Sequence, residues 1–222
     1  MSYINKNYWD TFYKKDTGLS EASTFSEYIL REFSGMQSQF MVIDLGCGTG
    51  KDSFYFAKNG FETIGIDGSE EVTKINNSKI DNLIKNSISF HCADLSDQNN
   101  VAQLLESFNE KTKESKKQLL IYTRFFLHAI PEEVEDIILE NLCSNIETPF
   151  IFVSEFRTKE DEVLDKVYNN HYRRYVETDK LLLKLLGKGF SIKNFTKGQG
   201  FSIYKNEDPY LARITVEKKK NV

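Results

Sequence analysis

Apolar residues fall along this chain in two alternating patterns. Short runs of Ile, Val, Phe and Leu lie near 40–45, 62–66, 87–92, 118–123 and 149–155. Runs this apolar suit strands covered on both faces. The stretches near 51–59, 69–85, 97–110, 131–145 and 177–187 read as helices. Strand alternating with helix predicts an α/β domain, a mostly parallel sheet with helices on both faces. Start and stop signals agree. Ser69 precedes Glu70 and Glu71, which puts acids at the positive end of a helix. Pro131 with Glu132 and Glu133 opens another helix, and Gly187 and Gly189 close the last. The charged stretch Glu106–Gln118 reads as a solvated helix end and loop.

The two ends of the chain depart from this pattern. Near the C-terminus, 190–196 and 210–216 read as two strands, with a turn at Gly198-Gln199-Gly200. Phe201–Tyr204 is expected to extend that pairing, and Lys218–Lys220 to be a solvated basic end. At the N-terminus, Tyr8, Trp9, Phe12 and Tyr13 are aromatic at helical spacing. They fit either a lid over a ligand, with Tyr8 facing the substrate, or a helix packed on the sheet edge. Thr24 with Glu27 fits a capping box that opens a second helix. The chain thus divides into an N-terminal helical segment (1–39), a main domain (40–217) and a basic tail (218–222).

The first run ends in a glycine turn, Val42-Ile-Asp-Leu-Gly-Cys-Gly-Thr-Gly50. Glycine reaches positive φ and has no Cβ, so the backbone can turn sharply and lie against a ligand. The second run ends in Asp67. A glycine turn after one strand and a carboxylate after the next make an adenosine site, with the acid on the ribose hydroxyls. The spacing Gly46-x-Gly48-x-Gly50 is one residue short of a dinucleotide fingerprint. A phosphate-cradling loop is excluded too, because Asp52 follows Lys51 and position 45 is Leu. Asp44 and Asp52 would repel a pyrophosphate but suit a cationic ligand.

The segment Asp44–Gly50 and Asp67 resemble the first two motifs of the class I S-adenosylmethionine (SAM)-dependent methyltransferases. Phe90–Asp94 and Leu119–Arg124 are similar to the ends of that family's third and fourth strands. The resemblance implies a Rossmann-like seven-stranded sheet, mostly parallel, with a reversed last strand. It implies SAM as cofactor and S-adenosylhomocysteine (SAH) as product. On this resemblance Asp67 and Gly68 hold the ribose, and Asp94 and Leu95 the adenine. Gly46, Cys47, Gly48 and Gly50 lie along the methionine moiety, with Asp44, Asp52 and Arg124 lining the same end.

Composition narrows the partners. A chain of 222 residues fits one domain with or without a small lid. Its formal net charge of −4 shows no basic footprint for nucleic acid. Three cysteines without framework spacing read as reduced thiols in a cytoplasmic protein. The residues after Met1 lack a basic and apolar leader, and no apolar run nears the roughly 20 residues of a membrane span. No metal-ligand spacing and no G-x-S-x-G nucleophile motif occurs. The oligomeric state is not specified.

Acceptor chemistry is expected at the carboxyl ends of the later strands. There the chain reads Arg124-Phe-Phe-Leu-His128-Ala-Ile-Pro131, then Ser154-Glu155-Phe-Arg157, then His171-Tyr-Arg-Arg-Tyr175. His128 is the expected base for a hydroxyl acceptor; the alternative is a helix-entry histidine bonded to backbone. Arg157, His171, Arg173 and Arg174, with Arg124, point to a small anionic acceptor. The segments 124–130 and 171–175 are similar to small methyltransferases of surface-polysaccharide (capsule) biosynthesis. That resemblance implies O-methylation of a sugar, a nucleotide-linked sugar or a phosphorylated group such as a capsule phosphoramidate precursor. Rival expectations are a nucleic-acid or protein methyltransferase, a NAD-dependent oxidoreductase and a non-catalytic SAM-binding protein.

Overall fold

The computed structural model describes residues 21–167 and 172–219. The aromatic segment containing Tyr8 and Trp9, and His171, lie outside the described residues. Five parallel strands follow the apolar runs: β1 (Phe40–Leu45), β2 (Glu62–Asp67), β3 (Ile88–Cys92), β4 (Gln118–Arg124) and β5 (Phe150–Arg157). β6 (Phe190–Gly198) and β7 (Leu211–Lys218) complete one sheet in the order β3-β2-β1-β4-β5-β7-β6. β7 runs antiparallel between β5 and β6. The helices are α1 (Thr24–Glu32), α2 (Lys51–Lys58), α3 (Glu70–Ser78), α4 (Gln98–Ser115), α5 (Glu132–Asn145) and α6 (Thr178–Gly187).

The unbroken apolar runs have a simple cause. Successive strand side chains point to opposite faces, and both faces are covered. Met41, Ile43 and Leu45 pack with Leu105, Ile138 and Leu185 from α4, α5 and α6. Phe40, Val42 and Tyr122 pack with Phe25, Ile29 and Phe56 from α1 and α2. The strand order reverses between β1 and β4, so the loops after these strands flank a crevice at the carboxyl edge of the sheet.

Several expectations are corrected at element ends. The N-cap of α1 is Ser23, whose side chain accepts from the Ser26 N–H, so Thr24 is already helical. α4 continues to Ser115 and stops where Lys116 turns left-handed at φ 57°. α3 stops at Ser78, short of residue 85; Asp81 then turns the chain by accepting from Leu83 N and Ile84 N. Residues 201–204 do not extend the β6–β7 pairing; that stretch contributes only the bridge between Tyr204 and Glu207. Lys218 ends β7 and is buried, its ammonium donating to Lys188 O at 2.6 Å.

Candidate active site

The loop after β1 is held by its own backbone and by two side chains. Gly46 N and Cys47 N both donate to Ile66 O, at 2.8 and 3.0 Å. Gly46, Gly48 and Gly50 take φ of 74°, 51° and 72°, a region that disfavours other residues. Gly48 N donates to Asp67 Oδ2 at 2.9 Å, while Asp67 Oδ1 accepts from Ser69 N at 2.9 Å. Loop and carboxylate thus form one cradle. The bare backbone also serves the chain itself. A Cβ at Gly46 would collide with the Phe126 ring, and one at Gly50 or Gly65 would lie 2.8 or 2.5 Å from Phe90.

Asp94 stands beside Asp67 at the end of the neighbouring strand, where Ala93 N donates to Asp67 O at 3.0 Å. Its Oδ1 accepts from Ser96 N and Ser96 Oγ at 2.9 and 2.7 Å. Leu95 is buried in the core, and Gly68 O accepts a long contact of 3.6 Å from Cys92 Sγ. Burial, then the charges of Asp67 and Asp44, push the Cys47 thiol well above its usual range.

Asp44 and Asp52 part company. Asp44 is buried under the loop and accepts from Ser53 Oγ at 2.5 Å. Burial pushes its carboxyl up to about 8, with Asp52 and Asp67 adding to the rise and Ser53 opposing it. Asp52, expected at the cofactor end, is committed elsewhere. It accepts from Ser23 N, Ser23 Oγ, Ser26 Oγ and Tyr122 OH at 2.8, 2.8, 2.9 and 2.8 Å. Burial raises its pKa, but Arg124 and these donors outweigh that, so the carboxyl lies below its ordinary value. Asp52 pins the start of α1 to the start of α2.

On the acceptor side, Phe125 sits at φ 55°, a strained conformation for a bulky side chain. Its N–H donates to Glu155 O at 2.9 Å, and the Arg124 guanidinium lies 4.2 Å from its ring. Arg124 Nε donates to Glu155 Oε1 at 3.1 Å and Arg213 Nε to Glu155 Oε2 at 2.7 Å. Glu155 is fully buried between the two guanidiniums. Arg213 was not anticipated: β5–β7 pairing sets it opposite Glu155, and register is not written in composition.

Two expected substrate arginines are committed to the chain's own acids. Arg157 donates to Asp161 at 2.7 Å and to Glu207, and is buried. Arg174 pairs with Glu135 and donates to Leu127 O at 3.1 Å. Arg173 is half-buried in the same segment. His128 makes a backbone contact of the kind its alternative reading requires. It is buried, and its Nδ1 accepts from Arg157 N at 3.1 Å, so the neutral ring carries its proton on Nε2. Among the described residues no group of three or more His, Cys, Asp or Glu is placed to hold a metal ion. No helix there is long and apolar enough to cross a membrane.

Residues 42–138 match the family described as a methyltransferase domain, a segment that includes the glycine loop, Asp67, Asp94 and His128. The whole chain resembles a SAM-dependent methyltransferase from Anabaena variabilis, with 15% identity and a TM-score of 0.70 over 96% of this chain and 94% of that one. The fold is that of the class I methyltransferases. Magnesium protoporphyrin IX methyltransferase from Synechocystis, solved with SAH bound, shares this methyltransferase fold at 18% identity and a TM-score of 0.66, covering 98% of this chain and 96% of its own. So does the [4+2]-cyclase SpnF, at 14% identity and a TM-score of 0.64 over 89% and 80% of the two chains. A cyclase on the same fold means that the reaction must be argued from the site. No curated protein matches the sequence.

Proposed function

We propose that this protein transfers a methyl group from SAM to an oxygen of a small anionic acceptor, leaving SAH. The observation that carries the reading is the 2.9 Å hydrogen bond from Gly48 N to Asp67, which joins loop and carboxylate at the crevice where the strand order reverses. When bound, SAM supplies a methyl already activated by its sulfonium. The chain's task is to hold the acceptor oxygen in line with it and exclude water. Asp67 accepts the Gly48 and Ser69 backbone N–H groups, which fix its carboxylate at the end of β2 where a ribose hydroxyl would donate to it. Asp94 faces the adenine, and Asp44 the ammonium.

With His128 Nδ1 accepting from Arg157 N, that nitrogen is not available as a base, which favours an acceptor oxygen that is already anionic. Arg124 and Arg213 are tied to Glu155, Ser202, Thr24 and Phe201, but two guanidiniums on one carboxylate leave a cation in excess beside the 124–131 loop, and that field favours the same class. The likeness of 124–130 and 171–175 to capsule enzymes narrows it to a sugar, a nucleotide-linked sugar or a phosphorylated group such as a phosphoramidate precursor. The same reading puts the protein in the cytoplasm, where free Cys47, Cys92 and Cys143 stay reduced.

The test is incubation with SAM and a panel of sugar phosphates, nucleotide sugars and matched neutral sugars, reading SAH release and product mass. Methyl on an oxygen of the anionic members supports the assignment. Methylation of the neutral members alone, or of none, defeats it. In calorimetry Asp67→Ala should weaken SAM binding by roughly tenfold or more; wild-type affinity would sink the site.

A further inference from the structure

Asn76 lies on α3 beneath the glycine loop, with no exposed surface. Its Nδ2 donates to Gly48 O at 2.8 Å. The next residue anchors α3 to the sheet: Asn77 Nδ2 donates to Phe90 O at 2.9 Å, and Phe90 N donates back to Asn77 Oδ1 at 3.2 Å. The grip on Gly48 therefore comes from a fixed helix.

The other half of the Asn76 amide is costly. Oδ1 is buried with no hydrogen-bond partner among the described residues. Such an atom destabilises the fold, and a leucine of nearly the same shape would avoid the penalty. What asparagine offers in exchange is the bond to Gly48 O.

That bond orients one peptide. Gly48 O and Thr49 N–H belong to the same planar unit, and no described peptide is cis, so the two point in opposite directions. With the carbonyl drawn down to α3, the Thr49 N–H is aimed away from it, on a residue that is half-exposed. The other loop donors are spent: Gly46 N and Cys47 N on Ile66 O, Gly48 N on Asp67, and Gly50 N on Cys47 O at 2.9 Å. Thr49 N has no hydrogen-bond partner among the described residues. Glycine tolerates either orientation of this peptide, and besides Asn76 the Gly48 carbonyl meets only the long, weak 3.8 Å contact from Cys47 Sγ among the described residues.

We propose that Asn76 is a positioning residue that presents the Thr49 N–H to the carboxylate of the cofactor's methionine end. This rests on the reading that the loop and Asp67 hold SAM. The Gly48 N–H belongs to the preceding peptide, so the contact to Asp67, and with it the ribose grip, survives loss of Asn76.

The test compares two ligands by calorimetry: SAH, and 5′-methylthioadenosine, which lacks the amino-acid end. Asn76→Leu should weaken SAH roughly tenfold and leave methylthioadenosine unchanged, the affinity ratio being read whatever the change in melting temperature. Equal losses for both ligands, or for neither, overturn the proposal. Should Asn76→Leu fold poorly, Asn76→Ser, too short to reach Gly48 O, is read by the same affinity ratio. Asp67→Ala is the control. If it leaves both ligands at wild-type affinity, the site reading itself has failed; if it weakens both while Asn76→Leu weakens neither, only the role of Asn76 has.

Discussion

At the scale of single residues, the carboxyl of Asp44 does the least expected thing. Burial raises it to about 8, against an ordinary value of 3.8. Between those values the folded protein holds a proton that the unfolded chain has released, so stability falls as pH rises through that window. Asp44→Asn should flatten the fall, as urea denaturation at about pH 5 and about pH 8 will show. A cationic ligand favours the ionised form. SAM binding near neutrality should therefore expel a proton, visible as a dependence of the calorimetric enthalpy on the buffer's ionisation enthalpy; the Asn variant should lose that dependence. Phe90 supplies a second residue-scale argument. Gly65→Ala would set a methyl 2.5 Å from its ring. The overpacking should cost about 1–3 kcal/mol of stability in a denaturant titration.

At the scale of elements, the charges decide how segments are tied together. Asp52 accepts two hydrogen bonds from Ser23 at the N-cap of α1 and one from Tyr122 on β4, so one carboxylate joins two helices to the sheet. Arg157 does the same for the strap after β5, bonding Asp161 and Glu207, while Glu207 also accepts from Val167 N at 2.8 Å. Removing the guanidinium would leave two buried acids without it. Arg157→Met should therefore lower stability by about 3–5 kcal/mol. A variant of wild-type stability with only a raised acceptor KM would return Arg157 to the substrate. The strand–helix alternation was legible because each element buries its own apolar stripe, a property of neighbouring residues. The end of α1 was misplaced by one residue because Ser23 and Thr24 are equally good caps by type, and Asp52 selects between them from across the fold.

At the scale of the molecule, the reversal of strand order between β1 and β4 brings the glycine loop, Asp67 and the 124–131 loop to one crevice. A ligand bound there stabilises the whole fold by mass action. SAM at about 100 times its Kd should raise the melting temperature by roughly 5–10 °C, and NAD at equal concentration should not; the reverse order would favour the oxidoreductase reading. The sequence by itself determined the seven strands, the glycine spacing and the two carboxylates at strand ends, because apolar periodicity and backbone freedom are local. Only the tertiary structure decided what each charge does. Arg157, Arg174 and Asp52 look like ligand contacts in one dimension, yet their partners come from distant positions such as Glu207, Glu135 and Ser23. Arg213 and Asn76 look like nothing at all until the β5–β7 register and the seat of α3 bring them to Glu155 and Gly48. A buried charge or amide takes whichever partner the fold places within about 3 Å, and that placement is a property of the packed chain.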